Sequence, residues 1–179
     1  MFIMIEIKRI DASNKEDINI PNEPFKIWGQ MIPTYDGSSW SYTTKEFDKD
    51  QVTEMTFPDE DYNFKERSKD SYFVGAYKEG KCVGLAIYKH DWMKYVYLED
   101  LKVNAAARGN GIATLLLQEG QKIAAENDYK GIFTIGQDNN LSACLFYVKS
   151  NFEIGGFNTH EYKGTPQEDK SNIYFYLDL

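Results

Sequence analysis

Hydrophobic and polar positions change their period along this chain, and the change separates strands from helices. Ile3, Ile5 and Ile7 alternate loosely with polar residues over Phe2–Ile10, which predicts a first strand. Asp11–Asn22 reads as a short helix or loop ended near Pro21. Phe25–Pro33 and Trp40–Phe47 are aromatic and β-branched runs on either side of the turn residues Tyr35-Asp36-Gly37-Ser38-Ser39, so a hairpin or two adjoining extended segments is expected. Asp48–Asp70 is the most polar stretch. It holds the acidic run Asp59-Glu60-Asp61 and reads as a loop with a short helix.

From Ser71 onward the pattern sharpens. Tyr72–Tyr77, a tight turn at Glu79-Gly80 and Cys82–Tyr88 predict a β-hairpin, and Tyr95–Val103 predicts the next strand. Gly111–Asn127 reads as a helix with Ile112, Leu115, Leu116 and Ile123 on one side. Ile132–Ile135 is a short strand and Asn140–Ser150 a second helix, after which Asn151 suits a left-handed cap. Phe152–Tyr162 and Ile173–Leu177 close the chain as a strand pair around the polar loop Lys163–Asn172. The order is mixed α/β and excludes a doubly wound sheet of equal βα units.

Length and composition narrow this further. The 179 residues fit one domain over 1–179. A domain of about 150 residues buries roughly 70% of its unfolded surface, enough for a core without disulfides or metals. Lys plus Arg number 20 against 28 Asp plus Glu, a net charge of −8. Nucleic acid is therefore not the expected partner, because its binding needs clustered cations. The field suits a small cationic molecule, although an acidic surface also serves solubility alone. Cys82 and Cys144 sit in apolar runs and read as free buried thiols. Two histidines, His90 and His160, make no His-rich metal site. A run of about 18 apolar residues is lacking, so no membrane span is expected. Met1–Ile10 is too short and charged for a signal peptide, and a cytoplasmic location is expected. A homodimer is allowed.

Candidate chemistry begins where the Tyr95–Val103 strand runs through Asn104-Ala105-Ala106-Ala107-Arg108-Gly109-Asn110-Gly111 into the helix. Gly109 and Gly111 lack Cβ, the first N–H groups of the helix point outward, and Arg108 adds charge: together these make an anion cradle. No Lys-Ser or Lys-Thr follows, which excludes the P-loop, and position 114 is Thr rather than the third glycine of a dinucleotide fold. A helix merely entered through a flexible glycine turn would look the same.

Arg108-Gly109-Asn110-Gly111-Ile112-Ala113, preceded by Tyr97-Leu98-Glu99-Asp100-Leu101-Lys102-Val103, resembles the Arg/Gln-x-x-Gly-x-Gly/Ala signature and fourth strand of GNAT acetyltransferases. Further on, Asn140-Leu141-Ser142-Ala143-Cys144-Leu145-Phe146-Tyr147-Val148-Lys149-Ser150-Asn151-Phe152 resembles the second cofactor motif of that family, with Asn151 in place of the usual Gly. Asn tolerates the left-handed conformation, so the departure is mild. The resemblance implies a central, mostly antiparallel twisted sheet flanked by helices, with a splay between the fourth and fifth core strands. It implies acetyl-CoA as co-substrate and no metal. The pyrophosphate would lie on the backbone of Arg108, Gly109, Asn110, Gly111, Ile112 and Ala113, with Leu101, Val103, Asn140 and Ala143 along the rest of the cofactor and Val103 as oxyanion donor. Tyr147 would face the leaving thiol, while Phe146 reads as a core aromatic.

An amine acceptor follows from the same resemblance. An alkylammonium is neutral in only about 1 molecule in 2,500 at pH 7, a cost of roughly 4.6 kcal/mol, so a positioned carboxylate is needed. Glu99 and Asp100 are the candidates. Neighbours in a regular strand face opposite sides, so the two should not share one role. The resemblance implies Glu99 as base, since acidic residues at the matching strand position serve so in some relatives, and leaves Asp100 to hold a substrate cation or brace the loop. Both also read as ordinary edge charges. Asn22–Tyr35, Trp40, Lys81-Cys82-Val83-Gly84, Tyr97–Asp100, Gln137–Cys144 and Tyr174-Phe175-Tyr176-Leu177 are similar to streptothricin acetyltransferases within the superfamily. That likeness implies acetylation of a β-lysine amine of streptothricin, hence antibiotic resistance, with ring faces from Trp28, Tyr35, Trp40 and Trp92 toward the cation. Each of those rings reads equally as core or rim packing. A polyamine, an amino acid or a protein amine is the alternative acceptor. A coenzyme A sensor is the non-enzymatic alternative.

Overall fold

Seven consecutive buried residues, Cys82 to Tyr88, mark a strand covered on both faces. The computed structural model of the protein describes residues 4–179, so Phe2 and Ile3 of the expected first strand lie outside the described residues. Along the chain the elements are β1 (Ile5–Arg9), β2 (Phe25–Ile27), β3 (Gly29–Tyr35), β4 (Trp40–Glu46), β5 (Thr53–Met55), α1 (Phe64–Arg67), β6 (Ser71–Lys78), β7 (Lys81–Lys89), β8 (Tyr95–Val103), α2 (Ile112–Glu126), β9 (Gly131–Gln137), α3 (Leu141–Lys149), β10 (Glu153–Asn158) and β11 (Asn172–Asp178). They fall into two compact units, one of residues 4–24, 56–132 and 179, the other of Phe25–Met55 and Phe133–Asp178.

In the first unit β1, β6, β7 and β8 lie side by side, each antiparallel to the next. The β6–β7 hairpin turns on Glu79 and Gly80 at φ 51° and 78°, the positive pair that a two-residue hairpin turn needs. Ile10, Ile18, Phe73, Leu85 and Ile87 form a buried cluster on one side of the sheet, joined by Ile20, Tyr62 and Phe64. Helix α2 packs on the other side. An added Cβ at Gly84 would stand 3.1 Å from Ile112 and 3.3 Å from Leu116, so this glycine lets helix and strand approach. Among the expected helix-face residues Leu115 is exposed, and Leu117 is buried instead. The buried stripe Ile112-Leu116-Gly120-Ile123, widened by Leu117 and Ala124, leaves Leu115 at its margin. Arg9 ties β1 to this helix through Glu119 at 3.0 Å and Glu126 at 2.7 Å.

The second unit holds β9 from Phe133 on, β11 and β10 in neighbouring order, the β3–β4 hairpin, the β2–β5 ribbon and α3. The expected run Phe25–Pro33 is two strands that part at Trp28, and β5 lies within a stretch expected to be loop and helix. Thr53–Met55 is too short to show a period, and its partner Phe25–Ile27 is remote in sequence. Strand β10 stops at Asn158 rather than reaching Tyr162, because the Asn158 side chain accepts from His160 and Glu161 N–H groups and turns the chain. Asn151 takes the expected left-handed conformation, φ 68°. Both units are mixed α/β with antiparallel pairing predominant, as the sequence implies. No helix among the described residues is long and apolar enough to cross a membrane.

Gly120 provides a test of the packing. Alanine normally favours a helix interior over glycine by about 1 kcal/mol. Here the new Cβ would overlap the ring tip of Tyr88, which is fully buried and donates a hydrogen bond to the Leu116 carbonyl at 2.9 Å. Gly120→Ala is therefore expected to destabilise by about 1–3 kcal/mol, read from urea unfolding. A stabilised variant would show that the α2–β7 contact yields freely.

Candidate active site

The register of β8 breaks at one residue. Ile87 pairs with Asp100 and Tyr88 with Leu98, so Glu99 is the extra residue of a β-bulge. Residues directly opposite across a ladder share a face. Asp100 and Lys102 therefore lie on the side of Ile87 and Leu85, where α1 packs, while Leu98 follows Tyr88 toward α2. Regular alternation would put Leu98 and Asp100 on one face and Glu99 on the other. The bulge overrides that expectation, and the Glu99 carboxylate reaches the same cluster as Asp100.

Five ionisable side chains meet there around Tyr62. Arg67, the last residue of α1, pairs with Glu99 and lies over the Tyr62 ring, its guanidinium carbon 4.7 Å from the ring centre. Lys102 Nζ is 2.8 Å from Glu60 Oε2, 3.2 Å from Asp100 Oδ2 and 3.3 Å from Asn22 Oδ1. Asn22 also donates to Glu60 at 2.9 Å. Burial, with the Asp100, Glu60 and Glu99 charges behind it, holds the Tyr62 phenol above its ordinary range. Burial likewise pushes the Asp100 carboxyl up to about 6; Lys102 opposes the rise, and Glu60 and Glu99 add to it. At Glu60 burial works against the anion, but hydrogen bonds from Lys102 and Asn22 prevail and the carboxyl is lowered.

The strand then feeds the glycine turn. Ala105–Ala107 form a 3-10 turn, and Gly109 and Gly111 follow at φ 79° and 75°. An added Cβ at either glycine meets nothing within 4 Å, so these residues are required for the left-handed backbone and leave space in front of it. Gly111 caps α2, whose first-turn N–H groups, Ile112 to Thr114, have no acceptor within the helix. This is an anion-binding geometry of the kind a pyrophosphate needs. Two side chains of the turn bond back onto the turn itself. The Arg108 guanidinium donates to the Val103 and Pro24 carbonyls at 2.9 Å each and so closes the turn. Its own N–H donates to Ala105 O at 3.3 Å. The Asn110 side chain donates to the Ala107 and Arg108 carbonyls and braces the same turn. Leu101 and Val103 are half-buried in β8, Val103 opposite Gly84.

The remaining candidates belong to the second unit. Asn140 is the N-cap of α3, its side chain accepting from Ala143 N–H at 3.3 Å. Tyr147 is buried, with ring centres of Phe146, Phe152 and Phe175 at 5.6, 5.4 and 5.2 Å. Phe146, expected in the core, is only half-buried, because the buried positions of α3 are Leu141, Cys144 and Tyr147. The Trp28 indole donates to Ser142 Oγ at 2.7 Å. Tyr35 and Trp40 face each other across the end of the β3–β4 hairpin at 5.1 Å. In the first unit Trp92 is 85% exposed in a loop.

Sequence reasoning passed over Asn22, Glu60, Tyr62, Arg67 and Lys102 as site residues. For Lys102 a signal existed, since it stands two places from Asp100 in one strand. The others come from segments of no regular period, and only folding brings them to β8.

The sequence model of the acetyltransferase (GNAT) family matches residues 36–152. Streptothricin acetyltransferase A of Bacillus subtilis (strain 168) is 34% identical over 170 residues, 95% of this chain and 98% of that protein. A crystal structure from Bacillus anthracis str. Ames, described as a streptothricin acetyltransferase in complex with acetyl coenzyme A, superposes with a TM-score of 0.87 at 24% identity, covering 98% of this chain and 100% of that one. Nourseothricin acetyltransferase superposes with a TM-score of 0.78 at 20% identity, covering 97% and 98%. At these identities the two structures speak for the fold.

The Arg67–Glu99 pair can be measured apart from any activity. Its side chains are 19% and 23% exposed, so solvent screens it only partly. Arg67→Ala and Glu99→Gln should each destabilise, and the double variant should cost less than their sum by about 1 kcal/mol or more in urea unfolding. Additive losses would make the pair an incidental surface contact.

Proposed function

The chain belongs to the acetyltransferase (GNAT) family, and from that premise we propose that it acetylates an amine of a streptothricin-type antibiotic with acetyl-CoA as donor. The observation that carries the substrate is the 34% identity to the Bacillus subtilis streptothricin acetyltransferase along almost the whole of both chains. The supporting geometry is one continuous segment, in which a strand bearing two carboxylates runs into a helix N-terminus opened by two left-handed glycines.

The pyrophosphate is assigned to the backbone of Gly109 to Ala113, where the helix N-terminus attracts an anion and open space lies before Gly109 and Gly111. Bound acetyl-CoA supplies the activated acetyl thioester. A carboxylate of β8 takes the ammonium proton, since attack needs the nitrogen lone pair. A polycationic antibiotic suits three carboxylates, Glu60, Glu99 and Asp100, opposed by two cations, Arg67 and Lys102. Tyr147 is assigned to the leaving sulfur on the family resemblance. A phenol near 10 protonating a thiolate near 8.5 is uphill by about 1.5 units, or roughly 2 kcal/mol, so hydrogen bonding to the developing thiolate is the easier part.

The purified protein, given acetyl-CoA and a thiol reagent, should release thiol faster with streptothricin than with spermidine, lysine or an aminoglycoside, and cells expressing it should survive streptothricin. Good turnover of another amine with none of streptothricin would remove the resistance reading and keep the acetyltransferase. Tyr147→Phe removes one hydroxyl and keeps the aromatic packing, so the fold should hold while kcat falls by about 10²-fold or less. Wild-type turnover under conditions where chemistry limits the rate would assign Tyr147 to packing alone.

A further inference from the structure

Lys102 is an ammonium with only 12% of its side chain exposed, shared by two carboxylates. Glu60 at 2.8 Å, Asp100 at 3.2 Å and Asn22 at 3.3 Å hold it on three sides. One cation between two anions leaves a negative charge over, and one more proton would balance it. Hydrogen bonding decides where that proton goes. Glu60 Oε2 accepts from both Lys102 and Asn22. Asp100 Oδ2 is buried with no hydrogen-bond partner among the described residues; the Lys102 contact lacks hydrogen-bond geometry. A desolvated carboxylate oxygen without a donor is the costlier anion. Glu99, by contrast, is already engaged by Arg67.

We propose that Asp100 is the proton acceptor for the substrate amine, and that Lys102, clamped by Glu60 and Asn22, is the positioning residue that tunes it. This rests on the acetyl-transfer reading above. The groups facing Asp100 are Lys102 and Glu99 of its own strand, Glu60 and Tyr62 from the segment before α1, and Arg67 of α1. Paired carboxyl groups whose surroundings drive their proton affinities apart divide the work. Glu60 stays an anion and anchors Lys102, while Asp100 titrates near 6. That narrows the gap to an ammonium near 10.4 by about two pH units relative to an ordinary carboxylate. The 16% of the Asp100 side chain left exposed gives access. In the step, the ammonium gives one proton to the Asp100 carboxylate. The freed lone pair forms the N–C bond to the acetyl carbon, and the C–S bond breaks. The nitrogen sheds a second proton, the thiolate takes one up, and Asp100 returns its own to solvent.

Carboxyl carbon NMR on the substrate-free full chain, with Asp100 identified by the signal lost in Asp100→Asn, tests the tuning directly. Lys102→Met should raise the Asp100 midpoint by about one pH unit or more, since a neighbouring cation commonly lowers a carboxyl by 1–3. Glu60→Gln removes a repelling charge and frees Lys102, so the midpoint should fall. Should Lys102→Met not fold, the downward shift in Glu60→Gln is the deciding measurement. The acid limb of kcat/KM, followed with whichever amine is turned over fastest, should move in the same two directions. Asp100→Asn should abolish that limb and lower kcat/KM above neutral pH by about 10²–10⁴-fold, and Glu99→Gln should keep it. A limb that survives in Asp100→Asn, or that only Glu99→Gln removes, overturns the assignment. Midpoints unmoved in both flanking variants overturn the clamp. Turnover of an amine other than streptothricin removes only the substrate. No turnover of any amine overturns the proposed function, and the NMR titrations still decide whether Lys102 and Glu60 govern the Asp100 proton.

Discussion

The bulge at Glu99 is the constraint on which the chemistry of the first unit depends. One extra residue in β8, opposite Ile87 and Tyr88, lets the strand satisfy two faces with incompatible demands. Before the bulge, Val96 and Leu98 are buried. After it, Asp100 and Lys102 face Tyr62 and Arg67 from the opposite side of the sheet. A regular strand would have put Leu98 and Asp100 on the same face, and a carboxylate against the α2 core would be expensive to keep charged. The bulge thus separates the apolar half of β8 from its polar half.

The polar half is arranged as two unequal pairs. Arg67 occupies Glu99 and stacks on Tyr62, while Lys102 is divided between Glu60 and Asp100. Similar carboxyl groups therefore meet different surroundings. Glu60 gains donors that outweigh its burial, and Asp100 is desolvated with an oxygen left unbonded. That inequality, more than the number of acidic residues, drives the proton affinities of Glu60 and Asp100 apart.

The glycine turn depends on the same sheet. Asn104 N–H donates to Val83 O at 2.9 Å, and Arg108 holds the turn down on the Val103 and Pro24 carbonyls. Helix α2 then starts at a fixed place because Gly84 lets Ile112 and Leu116 close on the strand. The Arg108 guanidinium, read in the sequence as a charge for an anion, is engaged by backbone carbonyls and fixes the turn. Asn140 likewise caps α3, so its side-chain oxygen serves the helix.

The sequence by itself determined the elements with a clear period or a clear chemical signature. The β6–β7 hairpin, β8, α2 and α3 follow from alternation, helical spacing and the positive-φ residues Glu79, Gly80 and Asn151. So does the glycine turn, because left-handed backbone next to a helix start leaves little choice of residue. The family was legible for the same reason, its motifs being local. The tertiary structure alone decided what non-local pairing decides. The β2–β5 ribbon joins three-residue strands too short to carry a period. Leu115 yields to Leu117 on α2 because the sheet, and not the helix, sets where the buried stripe is centred. The bulge is a difference in count between two strands, and no reading of β8 alone contains it. The partners of Glu99 and Lys102 are Arg67, at the end of the short helix α1, and Glu60 and Asn22 of irregular segments, all placed only once the sheet is covered.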